Sequence, residues 1–352
     1  MVAAAKNRRL CLVIPGLLDP FRGLASQGLA GKTLTSTPFE KSLIALPFLL
    51  GRARAKAQAG RCWEDVFAHL MGLDTQQPWG AAAYSYLGVT GRWSDSPVLR
   101  ADLASVTVGM ANLSQLDGVS LAIQAEEARA LSVALQDVLA HDGINLMADQ
   151  AGPWFLQLAQ EWPLRTQSLS LSLAHGVNRA LPTGSAAGRL MALLTEIQMV
   201  FHGHPVNQGR ETLGQPLINS LWLWGEGCAK PNLSSAWQGL WGDDPLLAGM
   251  AKAAAVSYQP AIDDVQELTA IAGSHLVLLD VAMRPAAMGD SAAWEHALSY
   301  LEREWFVPLL AAINRGEWQT VDIVPVNGQS YRYHRRDRWQ FWRRVRPLST
   351  LK

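Results

Sequence analysis

The chain has 352 residues, which is enough for two domains or for one large α/β core with an insertion. Its 30 Lys and Arg balance 30 Asp and Glu, so the molecule as a whole carries no net field that would attract nucleic acid or acidic lipid. The three cysteines, Cys11, Cys62 and Cys228, form no CxxC pair, which argues against a disulfide framework and predicts a reducing, cytoplasmic environment.

The first predicted element is a buried strand at Leu10–Ile14, a short apolar run that ends at Pro15 and Gly16. This run is too short for a secretory signal peptide, and no small-residue cleavage site follows it. No apolar run in the chain approaches about 18 residues. We therefore expect no membrane-spanning helix and no membrane partner.

Strand and helix patterns alternate along the rest of the chain. A helix is predicted over Thr37–Ala57, which Pro47 could interrupt. The strict alternation of Ser168–Leu173 indicates a half-buried strand, and Asn327-Gly328 between two strand-like runs indicates a hairpin. Further strands are predicted within 94–108, 218–224 and 274–282, and further helices over 126–139, 190–201 and 291–313. This alternation predicts the α/β class.

The middle of the chain differs in pattern from the sequence on either side of it. We assign residues 1–75 and 186–352 to a core with a mainly parallel sheet flanked by helices. Residues 76–185 are assigned to a smaller inserted α/β segment.

The stretch HGHPVNQGRETLGQPLIN, from His202 to Asn219, is too polar to be core. We expect a loop here, fixed by Pro205. Arg210 carries a permanent charge, and its planar fork matches a carboxylate or a phosphate. Two interpretations are open: a network that braces the loop before the next strand, or a site for a small anion. The candidate ligand-binding residues are His204, Asn207, Arg210 and Asn219.

The only close pair of histidines is His202 and His204. On a strand their side chains would share a face, and a third ligand could complete a metal site. No matching set of Asp or His is evident elsewhere in the sequence. The sequence therefore predicts no metal and no other cofactor.

The C-terminal segment 331–346 contains seven arginines with aromatic residues between them. Such interleaving occurs in patches that bind nucleic acid. It also occurs where arginine stems cover apolar surface at a sheet edge or helix. We favour the packing interpretation and keep nucleic-acid binding as an alternative.

The polar stretch resembles a motif of the archaeal-type cofactor-independent phosphoglycerate mutases of the alkaline phosphatase superfamily. The matching residues are His204, Pro205, Val206, Asn207, Arg210, Gly214, Pro216 and Asn219, followed by Gly225 and Gly227. The whole layout is similar to the bacterial RpfE-type regulatory protein family, through Leu99–Asp102, the run from Glu196 and the strand INSLWLW. The resemblance implies an alkaline-phosphatase-like α/β core.

The residues that would carry the chemistry of the mutases are absent at the matching places. Pro15 stands where a metal-binding Asp is expected, and Trp79 and Gly80 stand near the nucleophilic Ser and the Asp that follows it. Pro285 and Gly289 stand near the places of later Asp and His ligands. Because phosphoryl transfer depends on charge neutralisation and in-line placement, the resemblance implies a retained scaffold without the two-metal chemistry.

Three function hypotheses follow. The first is a regulatory or small-anion-binding protein that has lost catalysis and binds a phosphorylated or carboxylated small molecule, with no catalytic residue assigned. The second is an active mutase or phosphatase that uses Mn, Zn or Mg. Its displaced ligands would include Asp19, Asp280, Asp290, His202 and His204. The third is nucleic-acid binding through the arginine-rich C-terminus.

Overall fold

The computed structural model of the protein describes residues 8–18, 38–108, 113–116, 121–148, 152–175, 180–340, 342–343 and 348. The strands are β1 (Arg9–Val13), β2 (Arg54–Ala57), β3 (Val98–Val108), β4 (Leu113–Leu116), β5 (Asn145–Met147), β6 (Trp154–Gln157), β7 (Ser220–Trp224), β8 (Gly239–Trp241), β9 (Ser257–Gln259), β10 (His275–Leu278), β11 (Thr320–Val324) and β12 (Gln329–His334). The helices are α1 (Pro38–Ser42), α2 (Ala45–Arg52), α3 (Trp63–Leu70), α4 (Ala81–Thr90), α5 (Ala125–His141), α6 (Leu169–His175), α7 (Ala187–His202), α8 (Pro205–Thr212), α9 (Pro245–Ala253), α10 (Gln266–Thr269), α11 (Met283–Met288), α12 (Ser291–Tyr300) and α13 (Val307–Arg315), with a π-helical turn at Leu301–Phe306 and a 3-10 helix at Arg335–Trp339. Within the described ranges, none of these helices has the length and apolar character needed to cross a bilayer.

The chain divides into two compact units. The first comprises Met1–Leu73, Asn232–Leu247 and Ala251–Lys352, and the second comprises Asp74–Pro231 with Ala248–Met250. The second unit thus contains residues 186–231, which the sequence analysis assigns to the core. The physical reason is that β7 pairs antiparallel with β3 along its whole length and so belongs to the sheet of the second unit.

The first unit is built on a seven-stranded sheet with the order β2-β12-β11-β1-β10-β8-β9. The five strands from β11 to β9 are parallel to one another. At one edge, β12 pairs antiparallel with β11, and β2 pairs antiparallel with β12. Strand β1 lies at the centre, and its residues Leu10 to Val13 are fully buried. This confirms the predicted buried strand and the predicted α/β class, with a mainly parallel sheet flanked by helices.

One continuous helical segment packs on this sheet, and it confirms the helix predicted over 291–313. It consists of α12, the π-helical turn and α13. The turn places the buried carboxylate of Glu302 at the start of α2, where it accepts hydrogen bonds from the N–H groups of Ala45 (2.5 Å) and Leu46 (2.9 Å). These N–H groups have no partner within their own helix, so Glu302 acts as a helix cap supplied from a distant part of the chain.

The segment Thr37–Ala57 does not form the single predicted helix. It contains α1, α2 and the edge strand β2, and Thr37 lies outside the described residues. Pro47 does not interrupt the helix, because it is the third residue of α2. The missing N–H of a proline in the first turn costs no helical hydrogen bond.

The predicted hairpin at Asn327-Gly328 is confirmed. Strands β11 and β12 pair antiparallel and are joined by residues 325–328. Val326 and Gly328 have φ values of 63° and 93°. Positive φ values of this kind let a short connection follow the twist of its two strands.

The second unit contains an antiparallel sheet in which β4, β3, β6 and β5 are neighbours and β7 pairs with β3. Helices α5 and α7, both predicted from the apolar spacing, contribute one face each to its core. The buried residues of these faces are Ala128, Leu131, Leu135 and Leu139 on α5 and Leu190, Leu193, Ile197 and Phe201 on α7. The apolar periodicity of 3.6 residues is therefore explained by burial against one sheet.

The strand predicted for Ser168–Leu173 is wrong, because this segment forms α6. The hydroxyl of Ser168 accepts a hydrogen bond from the N–H of Leu171 (3.3 Å), as a helix N-cap does. The hydroxyl of Ser172 donates to the carbonyl of Leu169 (2.8 Å). These local bonds satisfy the serines on a helix, so the alternation of Ser and Leu does not reflect a strand with two faces.

Candidate functional site

Residues Pro205–Thr212 of the polar stretch form a helix, so the predicted loop is wrong for this part, whereas residues 213–219 have no regular structure. Helix α7 ends at His202, and α8 begins with Pro205 in its first position. His204 is the N-cap, and its Nδ1 accepts a hydrogen bond from the N–H of Val206 (3.2 Å). A capping side chain followed by proline is a helix-start pattern, and it was the sequence signal for this helix.

Asn207 joins the end of α7 to the start of β7. Its side chain is buried, and its Nδ2 donates to the carbonyls of Phe201 (2.7 Å) and Ile218 (2.7 Å). Its Oδ1 accepts from the N–H of Ile218 (2.9 Å). Both amide protons and the amide oxygen are therefore engaged by backbone groups.

Arg210 is 2 % exposed and is held by Glu127 through two parallel hydrogen bonds, from Nε (2.8 Å) and from Nη2 (2.9 Å). The same guanidinium donates to the carbonyls of Leu121 (2.9 Å) and Pro216 (2.8 Å). The hydrogen bonds from Arg210 hold the pKa of the Glu127 carboxyl below its ordinary value. Glu127 also accepts from the N–H of Gln124 (2.9 Å), so Arg210 braces the N-terminal cap of α5.

Asn219 extends the pairing between β7 and β3. Its Oδ1 accepts from the N–H of Val106 (2.7 Å), and its Nδ2 donates to the carbonyl of the same residue (2.8 Å). The amide thus takes the place of a backbone partner at the end of the ladder. For Asn207, Arg210 and Asn219 the geometry favours the bracing interpretation. An anion site formed with His204 stays a prediction, and it requires Arg210 to leave Glu127.

The Gly-x-Gly that follows β7 lies directly against the chain before α4. A Cβ atom on Gly225 would stand 2.6 Å from the nitrogen of Ala82, and one on Gly227 would stand 2.6 Å from the carbonyl carbon of Pro78. On the other side, a Cβ on Gly80 would stand 2.6 Å from the nitrogen of Ala229. All three glycines have positive φ, so the two backbones touch without intervening side chains.

The start of α4 is closed by this contact. Gly80 donates its N–H to the carbonyl of Glu226 (3.0 Å), and Ala82 donates to the carbonyl of Gly225 (2.9 Å). Trp79 forms a β-bridge with Gly227. Free N–H groups at a helix start form an anion site, but here these two donors are used within the protein.

The motif Leu99–Asp102 contains a buried ion pair. On β3, the Nε of Arg100 donates to Asp102 (3.0 Å), and the indole N–H of Trp224 on β7 donates to the other oxygen of that carboxylate (2.6 Å). The guanidinium lies 5.2 Å from the centre of the Trp224 ring. Residues two apart on a strand share a face, so the Arg-x-Asp spacing within the predicted strand was a readable signal for this pair.

Acidic residues lie at the carboxyl ends of two neighbouring parallel strands in the first unit. Asp280 follows β10, and Asp243 and Asp244 follow β8. Burial raises the pKa of the Asp280 carboxyl, and the charges of Asp243 and Asp244 raise it further. This edge of a parallel sheet is where ligands bind in open α/β folds, and strand-end acids were the sequence signal for it.

The residues proposed as displaced metal ligands are spread over the structure. Asp290 caps α12 by accepting from the N–H of Ala293 (3.0 Å), and the exposed His202 ends α7. Asp19 lies outside the described residues. In the part of the chain that the structure describes, no group of three or more His, Cys, Asp or Glu is arranged to hold a metal ion. The described residues therefore do not fit the two-metal centre on which the mutases depend.

Several arginines of the C-terminal segment are used in packing. Arg332 pairs with the buried Asp322 (2.6 Å), and Arg343 donates to the carbonyl of Arg52 (2.8 Å). Arg344 and Arg346 lie outside the described residues. Nucleic-acid binding by this segment stays a prediction.

The comparisons with known proteins relate part of the chain to phosphoglycerate mutases. No family model matches the chain. An alignment of 122 positions, which covers 32% of this chain, is 32% identical to a probable 2,3-bisphosphoglycerate-independent phosphoglycerate mutase of Geobacter sulfurreducens, and it spans 28% of that relative's length. Homology to that relative supports the predicted resemblance to the mutases.

Two solved structures are similar to the chain as a whole at low sequence identity. The PH0037 protein from Pyrococcus horikoshii has a TM-score of 0.48 and 13% identity, over 94% of this chain and 88% of that one. The cofactor-independent phosphoglycerate mutase from Thermoplasma acidophilum has a TM-score of 0.39 and 12% identity, over 93% of this chain and 90% of that one.

Proposed function

We propose that this chain is a phosphoglycerate-mutase-like protein of the RpfE regulatory type that has lost phosphoryl-transfer catalysis and acts by binding. The observation that carries the proposal is the closed start of α4. Trp79 and Gly80 occupy the region where the resemblance implies the nucleophile, and the donors of Gly80 and Ala82 are bonded to backbone carbonyls. Phosphoryl transfer requires a positioned nucleophile and donors that face the phosphoryl group. Trp79 and Gly80 have no nucleophilic side chain, and the N–H groups of Gly80 and Ala82 are already used within the protein.

The first strand supports the same proposal. It runs into Pro15 and Gly16, where the resemblance implies a metal-binding Asp. A Cβ on Gly16 would stand 2.5 Å from the carbonyl oxygen of Ala282, and its φ is 81°. Gly289, near the place of a later ligand, ends α11 in the left-handed conformation. These positions shape the backbone and have no side chain that binds a metal.

Metal content tests this proposal. We expect elemental analysis of the purified full-length protein to find no stoichiometric Mn, Zn or Mg. We also expect Mn²⁺ and a chelator to leave the melting temperature unchanged, because no three or more His, Cys, Asp or Glu among the described residues are arranged to hold the ion. Stoichiometric metal that disappears in Asp280→Asn, but stays in the exposed control Asp137→Asn, would overturn the proposal.

The alternative, an active metal-dependent mutase or phosphatase with displaced ligands, has no better support. Of its expected ligands, Asp280 lies at the carboxyl edge of the parallel sheet beside Asp243 and Asp244. Asp243 and Asp244 already accept backbone hydrogen bonds, from Ala261 (2.9 Å) and Leu246 (2.8 Å). Their use as loop caps accounts for their position.

The identity of the ligand is a separate part of the proposal. A phosphorylated or carboxylated molecule at His204, Asn207, Arg210 and Asn219 would compete with the bonds that hold these side chains. A rise in melting temperature with phosphoglycerate that is lost in Arg210→Lys would support this ligand. An unchanged melting temperature would count against it.

A further inference from the structure

A cavity of about 330 Å³ opens within the second unit. It is lined by residues 93–99, by Leu158, Glu161 and Trp162, and by residues 226–229 with Pro231, together with Ala83 from α4. Pockets for small molecules begin at about this size and are mostly apolar with a few placed polar groups. The cavity does not include any of the residues of the polar stretch, so it is a second candidate site.

Two tryptophans line the cavity, and contacts outside it hold both rings. Trp93 packs edge-to-face on Tyr84, with ring centres 5.6 Å apart. The hydroxyl of Tyr84 in turn exchanges hydrogen bonds with the backbone of Lys230 (3.0 and 3.1 Å). Trp162 is 5 % exposed, and the guanidinium of Arg189 lies 4.3 Å from its ring centre. The Trp162 ring thus already accepts one cation, as the negative face of an indole does.

The charged residues of the lining are all acidic. Asp95, Glu161 and Glu226 line the cavity, and no Lys, Arg or His is among its lining residues in the described chain. Glu226 is fixed by Thr166, whose N–H (2.8 Å) and hydroxyl both donate to its carboxylate. Asp95 and Glu161 make no ion pair with any described residue. A concave site with carboxylates and aromatic faces attracts cations and repels anions.

We propose that this cavity binds a small organic cation, an ammonium or guanidinium head group on an apolar body. Trp93 supplies a ring face for the head group, Trp162 forms part of the wall, and Asp95 and Glu161 supply negative charge. Leu99 with its apolar neighbours receives the body. This site goes beyond the proposed function and does not depend on the loss of catalysis. It also selects a charge opposite to that of a phosphoglycerate.

Three probes with one scaffold test the charge preference: phenethylammonium, phenethyl alcohol and phenylacetate. Cys228 lines the cavity and is exposed, whereas Cys11 and Cys62 are buried, so alkylation by iodoacetamide reports on this site. We expect phenethylammonium to slow alkylation of Cys228 and to bind in calorimetry more tightly than the other two probes. Phenylacetate should have no effect on the alkylation rate.

Variants of the lining residues test whether the probe binds in the cavity. Glu161→Gln and Trp93→Leu should each weaken phenethylammonium binding by about fivefold or more. Asp137→Asn removes an exposed carboxylate on α5 outside the cavity and should leave the affinity unchanged. Glu161 is exposed, so its substitution keeps the fold even if Trp93→Leu lowers the melting temperature.

Several outcomes would overturn the proposal. They are no slowing of alkylation by phenethylammonium, equal slowing by the neutral alcohol, tighter binding of phenylacetate, or an affinity that neither cavity variant changes. The measured quantities are the alkylation rate of Cys228 and the affinity of the probe, whereas the proposed function is tested by metal content and turnover. Failure of this inference is therefore distinguishable from failure of the proposed function.

Discussion

At the scale of single residues, the permanent charge of Arg210 in the polar stretch is used for contacts within the protein. The guanidinium of Arg210 is buried, and four of its hydrogen bonds go to Glu127 and to two carbonyls. Burying an unpaired guanidinium is costly, whereas a bidentate pair with further acceptors offsets much of that cost. The sequence alone left brace and anion site open, because a planar fork suits a protein carboxylate and a ligand carboxylate equally well.

The first prediction concerns the Arg210–Glu127 pair. Glu127→Gln should lower the free energy of unfolding by about 3 kcal/mol, because it leaves the buried charge of Arg210 without its partner. Denaturation in urea measures this change. Glu126→Gln, at the exposed neighbouring position, is the matched control and should shift stability by no more than about 0.5 kcal/mol. Equal effects of the two variants would mean that Arg210 does not depend on Glu127 and is available to a ligand.

His275 is a buried titratable residue of the first unit. Its ring lies between Trp241 and Trp318, with ring centres 5.9 and 6.1 Å away, and its Nδ1 accepts from the indole N–H of Trp241 (3.2 Å). Burial lowers the pKa of His275, and the positive charge of Arg8 lowers it further. The folded protein therefore holds this imidazole neutral.

The second prediction is a loss of stability in mild acid. As pH falls below about 6.5, the unfolded chain takes up a proton at His275 that the folded protein resists. The contribution is fully present above that pH and decreases as pH falls toward the lowered pKa. His275→Gln should therefore give a flatter profile of unfolding free energy against pH than the wild type. The exposed control His296→Gln should keep the wild-type slope; a wild-type slope in His275→Gln would contradict this assignment.

At the scale of elements, local patterns predicted the strands and helices that bury one clear face. Strand β1, helices α5 and α7 and the β11–β12 hairpin all follow from apolar spacing or turn chemistry. The misses occurred where side chains bond to the local backbone. Ser168 caps α6, and His204 with Pro205 starts α8. These local hydrogen bonds favour a helix, and the alternation of polar and apolar residues does not reveal them. The cap of α2 by Glu302 spans more than 250 positions and has no local signal.

The third prediction tests the contact between the Gly-x-Gly and the start of α4. Gly225→Ala should destabilise the protein by about 2 kcal/mol or more, because φ is 87° and the new Cβ would meet the nitrogen of Ala82. Gly209→Ala is the control within α8, where a Cβ meets nothing within 4 Å. It should stabilise by about 0.5–1 kcal/mol, since alanine favours helix over glycine. Thermal unfolding of both variants should show shifts of opposite sign; the same sign would contradict the contact.

At the scale of the whole molecule, the class was predictable and the division into units was not. Alternating patterns indicated an α/β chain, and the parallel sheet of the first unit confirms that. The position of residues 186–231 depends on β7, which pairs with β3 more than 110 positions earlier, from Arg100↔Trp224 to Ala104↔Ser220. The sequence within either strand does not indicate which distant strand will be its partner. The cavity was missed for the same reason, since its three segments meet only in the folded chain.

The homology to a phosphoglycerate mutase covers about a third of the chain. The 32% of the chain that matches a phosphoglycerate mutase relates the molecule to that enzyme. Gly16, Gly80 and Gly289 stand at positions where a side chain would clash or strain the backbone. A scaffold of this kind can bind a ligand without transferring a phosphoryl group.

Turnover of phosphoglycerate tests the central claim most directly. The purified protein would be assayed for mutase activity with Mn²⁺, Zn²⁺ or Mg²⁺ added, beside an active cofactor-independent phosphoglycerate mutase as a positive control. The account predicts no turnover above the rate without protein, in any of the three metals. Metal-dependent turnover that Asp280→Asn abolishes and Asp137→Asn preserves would contradict it, and would place an active centre at the carboxyl edge of the parallel sheet.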